Sequence, residues 1–224
     1  MYQIIADEPE FMVINKSPKV HFHSQDGHAG VMAQLELDIG IKLYSVHRLD
    51  TMTSGLLLFA KNPTAAATFT EMFTAHQVQK YYLALAKGKP KKKQGSIVGD
   101  MAKARRSMYK LLRTAENPAY TQFFSQSVSE GMRLYLLKPL SGKTHQLRVA
   151  LASIGVPILG DDLYGGEQAD RGYLHAYSLN FQFAGHAYQY IVAPSIGELF
   201  HQDGVKKQLQ TWANPEKLDW PKRK

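Results

Sequence analysis

With 224 residues, 44% of them hydrophobic and 21% charged, the chain can bury one sizeable core, and a single compact domain over residues 1–224 is expected. No apolar run is long enough to cross a bilayer, the start Met1–Glu8 lacks the basic-then-apolar order of a signal peptide, and cysteine is absent, so membrane insertion, secretion, disulfides, thiolate metal sites and a cysteine nucleophile are set aside. The net charge of +8 points to a polyanionic partner, because residues 87–113 hold ten of the 27 Lys and Arg but only one of the 19 acids, Asp100, which leaves the rest of the chain close to neutral.

The chain opens as a hairpin: Tyr2–Ala6 and Phe11–Asn15 have strand composition and flank the polar turn Asp7-Glu8-Pro9-Glu10. A short helix over 30–39 follows and stops at Gly40. Strands are expected at 42–46 and 55–61, with His47 to Ser54 held in the connection between them. Asn62-Pro63 reads as a cap with proline at the first helical position, and Ala66, Phe69, Met72 and Phe73 recur behind it at helical spacing. Further strands are expected at 81–86, 107–112, 121–125, 133–139, 173–181 and 188–192. Lys91, Lys92, Lys93, Arg105 and Arg106 make the basic stretch an electrostatic footprint for phosphates, with a solvated lysine loop as the plainer alternative.

A helix from about Thr144 to Gly155 places Leu147, Ala150, Leu151 and Ile154 on a core face and His145, Arg148, Val149 and Ala152 on the opposite one, where the arginine could simply be solvated. Residues 214–224, ending in Lys222-Arg223-Lys224, read as a flexible tail. Strands outnumber helices and are joined mostly by short connections, which favours an α+β fold on a mixed, mainly antiparallel sheet.

Several chemistries find little support. Of nine histidines, His21, His23 and His28 lie close together in sequence, but no third ligand with a supporting partner is identifiable, and no metal is expected. Gly165-Gly166 stands without a Gly-Lys-Ser/Thr element, which argues against nucleotide hydrolysis. Asp50 with Asp161 or Asp162 is the only acid pair worth considering for glycoside hydrolysis, and Asp161 and Asp162 read better as a turn after Gly160.

The specific signal is His47-Arg48-Leu49-Asp50-Thr51-Met52-Thr53-Ser54-Gly55-Leu56. It resembles the signature His-Arg-Leu-Asp-x-x-Thr-Ser-Gly-Leu of the RluA-like pseudouridine synthases at all eight specified positions. Lys80-Tyr81-Tyr82 looks like the family's Lys-x-Tyr strand, and Gly142 to Val149, followed by Pro157 to Asp161 and Tyr164-Gly165, looks like its third motif. Asn15-Lys16 with Pro18 and Leu174-His175-Ala176 are weaker echoes. Lys143 stands where the family usually has Arg, and Ala150 where His is common.

The resemblance implies the pseudouridine synthase catalytic fold with a central RNA-binding cleft, and isomerisation of uridine in ribosomal or transfer RNA, with no cofactor or metal. A monomer is expected, with an RNA stem-loop as its partner. By resemblance the catalytic residues are Asp50, acting on the sugar, Arg148, paired with that aspartate, and Tyr82, lying against the uracil. The plainer alternative for Tyr82, a buried strand tyrosine, applies equally to Tyr81, and register decides between them. Arg48 is the candidate to fill the gap left by an extruded base. Lys80, Lys143 and His145 join it as expected RNA contacts, together with His47, which also suits a role in shaping the loop by hydrogen bonds. From another class, an RNA-binding protein that flips a base without turnover is the alternative; intact Asp50, Tyr82 and Arg148 argue against it.

Overall fold

The computed structural model describes residues 1–25 and 27–221. In chain order the strands are β1 (Tyr2–Asp7), β2 (Phe11–Lys16), β3 (Tyr44–Ser45), β4 (Ser54–Ala60), β5 (Gln79–Lys87), β6 (Gln94–Gly99), β7 (Met101–Lys103), β8 (Tyr109–Leu111), β9 (Ala119–Ser129), β10 (Met132–Pro139), β11 (Leu174–Phe183) and β12 (His186–Ile191). The α-helices are α1 (Val31–Ile39), α2 (Pro63–Thr74), α3 (Gln146–Ser153) and α4 (Asp203–Thr211). They form two compact units: Met1–Gln79 with His175–Pro194, and Lys80–Leu174 with the segment from Ser195 on.

The first unit is built on a mixed sheet. β1 pairs antiparallel with β2, β2 with β4 and β11 with β12, whereas β4 and β11 run parallel through Ser54↔His175 and Gly55↔Ala176. The unbroken apolar runs Phe11–Ile14 and Leu56–Ala60 are buried along their whole length, as strands covered on both faces must be. Asn62 Oδ1 accepts the N–H of Ala65 at 2.9 Å, so α2 starts at its expected cap. Its Phe69 ring stacks on Phe183 at 4.6 Å and meets Phe11 and Phe181 edge-on, which fastens the helix to the sheet.

The second unit carries an antiparallel sheet in which β10 lies between β5 and β9, and β6 pairs with the far side of β9. Leu134, Tyr135, Leu136 and Leu137 of the central β10 are fully buried. β7 and β8 form a separate two-stranded hairpin. Neither β6 nor β7 stands out in the sequence: Gln94-Gly95-Ser96-Ile97-Val98-Gly99 carries two glycines and buries Ile97 as its one apolar side chain, a composition that only an edge strand tolerates. α4 is inconspicuous for a related reason, since it buries Val205 alone.

The segment 214–221, expected as part of a flexible tail, is packed instead. Trp220 lies against Phe124 at 4.7 Å and Tyr81 at 5.6 Å, its Nε1–H donates to the Pro215 carbonyl at 2.7 Å, and the Lys138 ammonium sits over its ring. One indole thus supplies enough apolar contact to hold a chain end that polar composition alone would release. Lys222-Arg223-Lys224 lie outside the described residues. Among the described residues no helix is long and apolar enough to cross a membrane.

Candidate active site

In the first unit the connection from His47 to Thr53 is pinned at both ends. His47 Nε2 accepts the N–H of Leu58 at 2.9 Å, on the stretch of β4 between its pairings with β11 and β3, and the imidazole stacks on Phe73 at 4.5 Å. A ring nitrogen that accepts carries no proton there, so His47 anchors the loop as a hydrogen-bond acceptor. At the other end the Thr53 N–H donates to the Asp50 carbonyl at 3.0 Å, closing a turn that has Asp50 at its head. Leu49 is buried and Arg48 exposed, and the half-buried Asp50 follows them.

Two supports of this loop are only faint in the sequence. Lys16 is fully buried, and its ammonium donates to the carbonyls of Ser17, Val20 and Thr51, tying the strand before the loop to the residue after Asp50. His175 is buried beside the parallel pairing. Its Nε2–H donates to the Val192 carbonyl at 2.7 Å, and its Nδ1 is hydrogen-bonded with Ser54 Oγ at 2.8 Å. Gly55 has φ +106, and a Cβ there would come within 2.2 Å of the Ala176 carbonyl oxygen, so close approach of β11 fixes glycine in the motif. His21 contributes a bond from its Nδ1 to Thr51 Oγ1 at 3.1 Å.

In the second unit β5 sets its two tyrosines apart. Tyr81 is buried against Trp220, and Tyr82, opposite Leu137 of β10, points to the other face and stays half exposed. Alternation puts Lys80 on the Tyr82 face, with Nζ close to Gly142 of the third motif. Burial pushes the Lys80 ammonium below its ordinary value of 10.5. Between the folded and unfolded values the unfolded chain binds more protons, so this residue makes stability rise as pH climbs through that window. Lys80→Met is expected to abolish that rise and to move the urea midpoint at pH 7 upward; a lower midpoint at pH 7 would count against the burial penalty.

The third motif builds a platform around Arg148. Gln146 is buried and makes four bonds: its Oε1 accepts from Ser141 Oγ and the Lys143 N–H, and its Nε2 donates to the Tyr120 carbonyl and Thr121 Oγ1. That fastens the loop before α3 to β9. Arg148 is not solvated, as its place opposite the core face allowed, but buried. Its Nε and Nη2 donate to the two carboxylate oxygens of Asp161, both at 2.7 Å, and its guanidinium lies over the Tyr164 ring at 5.0 Å. Asp161 does open a turn, as its place after Gly160 suggests, but its carboxylate is 1% exposed and serves as the arginine's clamp. A guanidinium has five N–H donors, and Asp161 takes two of them.

The remaining expected RNA contacts fall into two groups. His145 caps α3 at φ 56 and bonds through Nδ1 to Tyr164 Oη at 2.9 Å, and Lys143 Nζ donates to Asn117 Oδ1 at 2.9 Å, so both help to hold the platform. Lys91, Lys92 and Lys93 are exposed in the connection from β5 to β6, while Arg105 and Arg106 are exposed at the tip of the β7–β8 hairpin. Asp100, the one acid of the stretch, is held below the usual carboxylate range first by a hydrogen bond from the Thr114 side chain and then by the backbone N–H groups of Glu116 and Asn117, which it accepts.

The family model for RNA pseudouridylate synthase matches residues 10–153 and so runs through both units. The chain belongs to the RNA pseudouridylate synthase family. It is 44% identical over 213 residues to an uncharacterised RNA pseudouridine synthase of Haemophilus influenzae, covering 94% of this chain and 95% of that protein. It is 33% identical over 185 residues to the uncharacterised RNA pseudouridine synthase YhcT of Bacillus subtilis, covering 77% of this chain and 61% of YhcT. The solved structure of human RNA pseudouridylate synthase domain containing 1 superposes with a TM-score of 0.76 at 24% identity, over 96% of this chain and 95% of that one, which shows the shared fold. The protein is a pseudouridine synthase, an isomerase, with RNA as its substrate.

Proposed function

We propose that this synthase isomerises uridines of ribosomal or transfer RNA stem-loops, with Asp50 as the group that acts on the sugar. The N1–C1′ bond breaks, the uracil turns, C5 bonds to C1′ and the C5 proton leaves. Asp50 either attacks C1′ or takes the C2′ proton, roles that a carboxylate can fill because it is both a base and a good leaving group. The observation that carries this reading is the turn itself: Asp50 heads a short loop fixed by His47, Lys16 and Thr53, next to an exposed Arg48. Extruding a base costs a few kcal/mol, and Arg48 is suited to filling the gap it leaves. The family resemblance assigns Arg148 as the partner of this acid and gives Tyr82 a place against the uracil. A Rickettsia bellii relative, 37% identical over 127 residues, is named a ribosomal large subunit pseudouridine synthase, which makes ribosomal RNA the first substrate to try.

The test is release of tritium from C5-labelled uridine in ribosomal and in transfer RNA, followed by mapping of the modified position. Release from neither RNA would remove the substrate assignment. The exposed lysines 91–93 are proposed to hold backbone phosphates. Changing all three to Gln is expected to weaken RNA binding and to lower the slope of log K against log salt by about 2 to 3, near one unit for each phosphate no longer neutralised. An unchanged slope would assign these lysines to solvent.

A further inference from the structure

Tyr164 has no part in the reaction as described above, yet three separate parts of the second unit converge on it. Its hydroxyl accepts the backbone N–H of Tyr109, the first residue of β8, at 2.9 Å. The same hydroxyl is 2.9 Å from Nδ1 of His145, the residue that caps α3. A backbone N–H can only donate, so the hydroxyl accepts from Tyr109, and whichever of the hydroxyl and His145 Nδ1 carries the proton between them, both bonds can be made at once. Its ring, finally, lies 5.0 Å beneath the Arg148 guanidinium, and Asp161, which also holds that guanidinium, is three residues earlier in the same turn.

We propose that Tyr164 is a positioning residue that couples the basic β7–β8 hairpin to Arg148, so that RNA gripped by the hairpin sets the arginine in its working geometry. This rests on the reading in which Arg148 serves the reaction and the hairpin meets RNA.

The hairpin is well made to collect such a signal. Lys103, Arg105, Arg106 and Lys110 are all exposed on it. Its tip is a tight turn, with the Met108 N–H on the Arg105 carbonyl at 3.1 Å, and it places Arg106 and Ser107 at φ 54 and φ 59. Two successive left-handed residues without glycine are costly in such a turn, so the tip holds Arg106 and Ser107 in a conformation that the rest of the hairpin must enforce. The Tyr109 amide ties that hairpin to the turn 161–164 rather than leaving it to its own two short strands. Displacement of β8 therefore reaches Tyr164 through a hydrogen bond. It reaches the arginine through the ring, and the start of α3 through His145.

A cycle of variants, read by single-turnover isomerisation of labelled RNA at saturating enzyme, tests the link. Tyr164→Phe keeps the ring under Arg148 and removes only the hydroxyl. A hairpin variant changes Lys103, Arg105 and Arg106 to Gln. Each is expected to lower the saturated rate about tenfold, in the ordinary range of coupling between sites, and the combination to lower it no further than either alone, because both cut the same connection. Hydrogen exchange gives a second measure, with the Tyr109 amide exchanging at least about tenfold faster in Tyr164→Phe than in wild type, where RNA binding slows it. A hundredfold loss in the combined variant overturns the coupling, as does a wild-type rate in Tyr164→Phe or a hairpin variant that changes KM alone. A wild type that releases no tritium overturns the underlying reading as well, which distinguishes the two failures.

Discussion

Asp161→Ala is expected to destabilise the second unit by about 3–5 kcal/mol, the cost of removing one member of a buried ion pair. The carboxylate is 1% exposed and takes Nε and Nη2 of Arg148 in a bidentate pair, both bonds at 2.7 Å, so its loss strips a buried guanidinium of two charge-assisted bonds. The hole cannot readily collapse. Gly160, just before it, has φ +73 and no room for a side chain, since a Cβ would lie 1.9 Å from the Arg171 carbonyl oxygen, and this holds the turn in place. Urea unfolding followed by far-ultraviolet circular dichroism measures the effect. Asp161→Asn keeps the shape and one carbonyl acceptor, and is expected to lose less stability while still lowering the saturated isomerisation rate. If Asp161→Ala unfolds within about 1 kcal/mol of wild type, well under the cost of breaking such a pair, the clamp contributes little to the fold.

Legibility in the sequence follows the kind of force involved. β2, β4 and β10 announce themselves because a strand buried on both faces must be apolar throughout, and α2 because its cap and its proline act locally. The motif around Asp50 is readable as a pattern, but its supports are only faint: Lys16 and His175 are polar residues whose partners include Thr51 and Ser54, distant in the chain, and turn or helix chemistry in their own neighbourhood does not signal burial. Asp161 shows the limit well. Local turn chemistry explains its place after Gly160, whereas its bond to Arg148 spans 13 residues and depends on how α3 is set against the turn. Gln146 and Tyr164 lie inside the recognisable motifs without drawing attention, because amides and tyrosines declare no charge; their importance lies in joining backbone and side-chain groups from separate elements. β6, α4 and the packed Trp220 segment are hidden because each is anchored mainly by one apolar side chain packed on the rest of the unit.

Asp50→Asn is expected to lower isomerisation by about 10²- to 10⁴-fold, the range for losing a positioned acid or base, and to leave RNA affinity within about twofold. The amide is nearly the same size as the carboxylate, so the turn can persist: its bond from the Thr53 N–H goes to the backbone carbonyl of residue 50, which the change does not touch, and the loop keeps His47 on Leu58 and Lys16 on Thr51. What disappears is chemical. An amide neither takes a proton from C2′ nor attacks C1′ and leaves again, so either role for Asp50 fails with the same substitution. Tritium release in single turnovers, with the thermal midpoint and filter binding measured on the same preparations, separates this from a folding defect. A variant that binds and folds as wild type and still releases tritium at more than about a tenth of its rate would falsify the assignment, since a positioned base is worth more than that. Loss of turnover with binding retained would instead fix the acid, and the same assay on Arg148→Lys, which keeps the charge but cannot span Asp161 with two parallel bonds, would then tell orientation apart from charge.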